Sequence, residues 1–161
     1  MAPVIVFGPT GNVGAWVART AREHGAQVIL AMRDTKKPIR KLDESQGGYE
    51  RVQADLTQPD SVTKAVKATG AKRAFIYLVH GTQDHMKASI EALKAGGIEF
   101  VVFLSSFTVQ GDLKAIKPQD MISFMHASVE LVLETVFGKE NFVALRPVSI
   151  HTRSRSRRTV C

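Results

Sequence analysis

At 161 residues, 44% hydrophobic and 23% charged, the chain has the make-up of one soluble globular domain, which excludes wholesale disorder and two full domains. Its only cysteine, Cys161, excludes an intrachain disulfide and points to a cytoplasmic setting, while no apolar run approaches the ~20 residues of a membrane span and Met1 to Phe7 lacks the basic lead of a signal peptide. Of the net charge of +7, Arg153, Arg155, Arg157 and Arg158 carry four, leaving +3 on residues 1–150, so charge alone does not make the domain a nucleic-acid binder.

Pro3 to Phe7 is a short apolar, β-branched run that ends in a glycine segment, the pattern of a buried parallel strand feeding a turn. From Asn12 to His24 the residues Val13, Trp16, Val17 and Ala21 recur at spacings of three and four, and Gly25 comes next as a stop, which predicts a helix. The alternation continues with a strand at Gln27 to Met32, a polar helix at Lys36 to Glu44, a strand at Tyr49 to Ala54 and a helix at Pro59 to Thr69. A strand at Arg73 to Val79, a helix at Gln83 to Ala95 and a strand at Glu99 to Leu104 come next. A loop then runs to about Pro118, a long helix to Val136, and a strand spans Asn141 to Leu145.

Six strands joined by crossovers too long for hairpins predict an α/β fold. The expected form is a Rossmann-type, doubly wound parallel sheet in the order 3-2-1-4-5-6, with helices on both faces, over residues 1–150. No internal repeat of fixed period is present. Residues 151–161 form a basic Arg/Ser tail with too little to bury, expected to be disordered. The tail is either a weak contact for RNA or an acidic partner, or the read-through end of a truncated gene.

The segment Gly8-Pro-Thr-Gly-Asn-Val-Gly14 comes directly after a strand and opens a helix. A dinucleotide pyrophosphate needs backbone N–H groups and the positive end of a helix dipole at close range. Gly8 allows the tight turn, Gly11 the approach of the phosphates and Gly14 the close packing of helix on sheet. Thr10, Asn12 and Val13 start the helix and complete the expected phosphate site. Cofactor choice is read at the end of the second strand, where Arg33 offers a planar charged fork for a 2′-phosphate and Lys36 and Lys37 add positive potential. NADP(H) is therefore preferred, with NAD(H) as the alternative. Asp34 either reaches the ribose or caps the helix expected at Lys36 to Glu44. Asp55 either meets the adenine amino group, with Leu56 against the ring, or caps the turn at Thr57 to Asp60. Val79 closes the fourth strand beside the crevice where open α/β sheets hold ligands.

For chemistry the sequence offers Ser105, able to hydrogen-bond a substrate carbonyl or the nicotinamide amide, or else to serve a plain turn. His126 either shuttles protons or packs on an amphipathic helix. A Tyr-x-x-x-Lys pair is absent, since the residue four places after Tyr49 is Gln53 and that four places after Tyr77 is Gly81. His24, His80, His85 and His151 lack the ligand spacing of a zinc site.

Gly8-Pro-Thr-Gly-Asn-Val-Gly14, Arg33-Asp34, Ala54-Asp55-Leu56, Leu104-Ser105-Ser106, His126 with Glu130, and Leu145-Arg146-Pro147 together resemble the NmrA-like group of atypical short-chain dehydrogenases. The resemblance spans about 150 residues and implies the Rossmann fold and a bound dinucleotide. It also implies one of two activities: NADPH-dependent reduction of a small quinone or enone, or nonenzymatic redox sensing and regulation. The reductase branches with a catalytic lysine on the long helix find no counterpart between Phe124 and Leu133. In the group the chain continues past Leu-Arg-Pro into a segment closing over the substrate, whereas 14 residues remain after Pro147 here. A truncated paralogue is thus a third reading, and exposed apolar surface left near the sheet's C-terminal edge makes a homo-oligomer an expectation. The expected partners are the dinucleotide and a small-molecule substrate, with no membrane.

Overall fold

The computed structural model describes residues 2–45 and 47–148. The expected Arg/Ser tail lies outside the described residues. The elements run β1 (Val4–Phe7), α1 (Asn12–Glu23), β2 (Val28–Met32), β3 (Tyr49–Gln53), α2 (Pro59–Thr69) and β4 (Arg73–Tyr77). They continue with α3 (Lys87–Gly96), β5 (Phe100–Leu104), α4 (Met121–Phe137) and β6 (Phe142–Leu145), with 3-10 turns at Leu113–Ala115 and Lys139–Asn141.

The strands form one parallel sheet in the order β3-β2-β1-β4-β5-β6, as the alternation predicts. Because successive strand residues face opposite sides, the sheet carries two cores. On one side Ile5, Phe7, Ile29, Ala74, Ile76, Val101 and Phe103 pack under α2, α3 and α4 through Val62, Val66, Ile90, Leu93, Val129 and Leu133. On the other, Val6, Val28, Leu30, Met32 and Phe75 pack under α1 and the segment carrying Ile39 and Leu42. Strand β2, flanked by β3 and β1, is buried along its whole length, which is why it reads as an unbroken apolar run. Beyond α1, on this second side, Val143 and Leu145 of edge strand β6 are exposed.

The structure departs from the sequence pattern in four places. Residues 36–44 form turns rather than a helix. Pro38 disfavours helical backbone at Lys37, Asp34 Oδ1 takes the Lys36 N–H at 2.9 Å, and Ile39 and Leu42 turn inward. β4 ends at Tyr77 and not Val79, whose N–H is given to Met86 Sδ at 3.3 Å. α3 starts at Lys87, later than Gln83, because His85 and Met86 hold φ of +52° and +64° and Thr82 and Asp84 side chains accept from the Met86 N–H. Trp16, expected on the packed face of α1, is 56% exposed; the small residues Gly14, Ala15 and Ala18 are what α1 buries.

Candidate functional site

The C-terminal ends of β1, β2, β4 and β5 open into a cleft of three adjoining compartments. The first, about 370 Å³, is lined by Gly8, Thr10, Arg33, Asp34, Lys37, Asp55, Leu56 and Tyr77, among others. The second, about 340 Å³, is lined by Gly8, Thr10, Gly11, Asn12, Val13, Gly14, Phe75, Tyr77 and Leu104. The third, about 430 Å³, includes Tyr77, His80, Leu104, Ser105, Ser106, Phe107 and His126. Gly8, Thr10 and Tyr77 are common to the first two, and Tyr77 and Leu104 to the last two. The groups lie in one groove running from Arg33, over the glycine turn, to Ser105.

Each glycine of the turn has its own reason. Gly8 holds φ +69°, and a Cβ there would stand 2.6 Å from the Tyr77 ring. A Cβ on Gly14 would stand 2.2 Å from the Gly8 carbonyl oxygen, so the first turn of α1 can lie against β1 only without a side chain. Gly11 differs: it is exposed, and its Cβ would touch only the Gly8 oxygen, at 3.4 Å. It is the N-cap of α1, with no side chain capping the helix, so the first-turn N–H groups and the positive dipole end face the groove. An open approach at Gly11 with free amide donors behind it fits a pyrophosphate.

At the Arg33 end, Lys37 lines the groove and Lys36 does not. Both carboxylates nearby are occupied locally: Asp34 by the Lys36 N–H, and Asp55 Oδ1 by the Thr57 N–H and hydroxyl, each at 2.8 Å. The capping alternative for Asp55 is therefore realised, while Asp55 and Leu56 also line the first compartment. The loop bearing Lys37 is pinned from β3 by Arg51, whose guanidinium donates to the Thr35 and Lys37 carbonyls and to the Glu44 carboxylate.

At the other end, Ser105 Oγ donates to Glu130 Oε1 at 2.5 Å, and Arg146 donates to both Glu130 oxygens, at 3.1 and 2.5 Å. Ser105 and Glu130 are buried. The hydrogen bond to Glu130 holds the Arg146 guanidinium above its ordinary pKa, outweighing the opposing desolvation. His126, on α4, donates from Nδ1 to the Ile122 carbonyl at 2.8 Å, which in the neutral ring leaves Nε2 as the acceptor.

Among the candidates read from sequence, Gly8, Thr10, Gly11, Asn12, Val13, Gly14, Arg33, Asp55, Leu56, Ser105 and His126 all line this groove. Val79 is not among the lining residues and packs instead beside the core. Tyr77 was missed as a site residue, although it touches all three compartments. The register that pairs Val6 with Phe75 sets Tyr77 opposite Gly8 when extended two residues, a signal that needs the strand pairing and not the sequence alone. Burial pushes the Tyr77 phenol above the usual tyrosine range against a smaller pull from Arg33, the reverse of what a tyrosine acid requires.

The chain matches the NAD(P)H-binding family over residues 8–158. It is 44% identical to a nitrogen metabolite regulation-like protein of Gibberella fujikuroi over 92% of this chain and 49% of that protein. Among solved structures, a carbonyl reductase of Pseudomonas aeruginosa superposes with a TM-score of 0.71 at 19% identity, over 94% of this chain and 85% of the other. An Escherichia coli NADPH-dependent quinone oxidoreductase complexed with NADPH does so with a TM-score of 0.67 at 19% identity, over 89% and 48%. The chain spans half or less of the length of the curated relatives it matches. Strand order, glycine turn and match agree: this chain belongs to the NAD(P)H-binding family, with a nitrogen metabolite regulation-like, NmrA-like protein among its relatives.

Proposed function

We propose that the chain binds NADP(H) extended along the groove and serves the NADPH-dependent reduction of a small quinone or enone. The observation that carries this reading is the continuity of the groove from Arg33 across Gly8 and Gly11 to Ser105 and His126. Arg33 and Lys37 hold the 2′-phosphate against the Asp34 carboxylate, which lines the same compartment and accepts its own backbone's Lys36 N–H. Leu56 lies against the adenine. The amides behind Gly11 and the α1 dipole hold the pyrophosphate. The dinucleotide, when bound, supplies the hydride. Ser105 and His126 flank the third compartment, where His126, carrying a proton on Nε2 taken from solvent, gives it to the substrate oxygen as the hydride arrives, while Nδ1–H stays on the Ile122 carbonyl. Both the resemblance to a quinone oxidoreductase fold and the family match support the reading.

A second reading, a nonenzymatic dinucleotide sensor, draws on two observations. Between Phe124 and Leu133 α4 offers no lysine, and the 44%-identical relative is named for regulation. Calorimetry with NADPH and NADH, alongside steady-state NADPH oxidation over a panel of quinones and enones, separates the two. Binding with turnover supports the reductase; binding of NADPH without turnover on any acceptor overturns it in favour of the sensor. Arg33→Ala is expected to weaken NADPH about tenfold or more while leaving NADH nearly unchanged, the loss of one charge-assisted pair. Equal NADPH affinity in that variant overturns the 2′-phosphate assignment.

A further inference from the structure

Both hydrogens that Ser105 can donate are already committed. Its N–H donates to the Leu145 carbonyl at 2.8 Å, which ties the end of β5 to β6. Its hydroxyl hydrogen goes to Glu130 Oε1 at 2.5 Å. A carboxylate can only accept, and this one is 2% exposed and held by two donors of Arg146, so Ser105 cannot be the acceptor in that contact. A hydroxyl has one hydrogen and two lone pairs. Ser105 lines the third compartment, and toward a ligand there its hydroxyl has only lone pairs left to offer. Its neighbour Ser106 differs: its hydroxyl is turned to Thr108 in the loop, at 2.9 Å from Oγ1.

We infer that Glu130 and Arg146 are positioning residues that make Ser105 an obligate hydrogen-bond acceptor at the inner end of the groove, selecting a ligand that presents an N–H donor there. With NADP(H) in the groove, the proposed function on which this rests, the matching donor is the carboxamide amino group of the nicotinamide. A free serine would accept from an amide nitrogen or donate to a ketone oxygen with equal ease, and so would not tell the two apart. The buried ion pair removes the second option. It also joins three elements, the ends of β5 and β6 and the middle of α4, so the hydroxyl is fixed in direction as well as in polarity.

The test compares NADP+ with its 3-acetylpyridine analogue, in which a methyl replaces the amino group, using 2′,5′-ADP as a reference that lacks the nicotinamide. Calorimetric affinities are measured on the full chain and two variants. The wild type is expected to prefer NADP+ by about tenfold, the factor carried by one well-made hydrogen bond and the cost of its loss. Ser105→Ala leaves the Glu130–Arg146 pair in place and is expected to bring the ratio near one, with 2′,5′-ADP unchanged. The double variant Glu130→Leu with Arg146→Met removes the pair together and so avoids a buried unpaired charge. It is expected to narrow the ratio while Ser105 is still present. A wild-type ratio near one, or a ratio kept in Ser105→Ala, overturns the acceptor role although 2′,5′-ADP binds. A ratio kept in the double variant alone overturns the positioning by Glu130 and Arg146. If neither 2′,5′-ADP nor NADP+ binds, the proposed function itself fails and this inference with it.

Discussion

At Gly14 an added methyl would meet backbone, the Gly8 carbonyl oxygen at 2.2 Å and its carbon at 2.8 Å, and neither can rotate aside. At Gly11 the same methyl would point into the groove, with its closest contact at 3.4 Å and an extended φ of −80° and ψ of 167° that any residue adopts. The pair therefore separates folding from binding. Gly14→Ala is expected to lower stability by about 1–3 kcal/mol in urea unfolding, the usual cost of overpacking a closed site. Gly11→Ala is expected to stay within about 1 kcal/mol of the wild type, since alanine is a poorer N-cap than glycine by only that order. It should still weaken NADPH by tenfold or more, because the methyl stands where the phosphates approach. A Gly11→Ala variant that binds normally would show that the groove at the glycine turn is not the phosphate site.

The alternation of strands and helices was legible in the sequence because burial marks the interior strands: β2 is apolar throughout and is flanked by β3 and β1. The glycine segment was legible because it sits between a strand and a helix, where its chemistry has few other uses. The stretch after Arg33 was not, because what shapes it is a side chain from another strand. Arg51 of β3 reaches back to the carbonyls of Thr35 and Lys37 and to Glu44, and no local pattern encodes that. Glu130 was visible only as part of a motif, since its burial depends on Arg146 arriving from β6. The Arg51–Glu44 tie gives the loop a pH dependence. The hydrogen bond from Arg51 holds the Glu44 carboxyl below its ordinary value of 4.5. A lowered folded pKa means that the tie contributes fully above the unfolded value and is lost as pH falls through the folded one. Wild type is thus expected to exceed Glu44→Gln in urea midpoint at neutral pH, with the gap closing under acid below 4.5. A gap independent of pH would assign the effect to packing instead of to the ion pair.

Across the whole molecule the groove is built where the two cores meet at one edge of the sheet. Phe7, Ala31, Ala54 and Leu56 belong to the core under α2, α3 and α4, whereas Met32 and Phe75 belong to the core under α1, and all six line its first two compartments. A ligand lying along it touches the ends of β1, β2, β4 and β5 and the start of α1 at once, so it stabilises the domain as a unit rather than one loop. Anything that binds the folded state alone adds RT ln(1 + [L]/Kd), which is about 2.7 kcal/mol at a hundredfold excess over Kd. For a domain of this size about 1 kcal/mol shifts the melting temperature by roughly 2–4 °C. NADPH at that excess is therefore expected to raise the unfolding midpoint by about 5–11 °C in thermal denaturation. NADH at the same concentration is expected to raise it less, because Arg33 and Lys37 then face no phosphate. The difference should narrow in Arg33→Ala, where Lys37 alone remains for the phosphate. Because the adenine end and the Ser105 end share the sheet, 2′,5′-ADP is expected to give part of the NADPH shift. A shift from 2′,5′-ADP equal to that from NADPH would mean that the third compartment contributes nothing to binding, and would confine the site to the glycine turn and the Arg33 end.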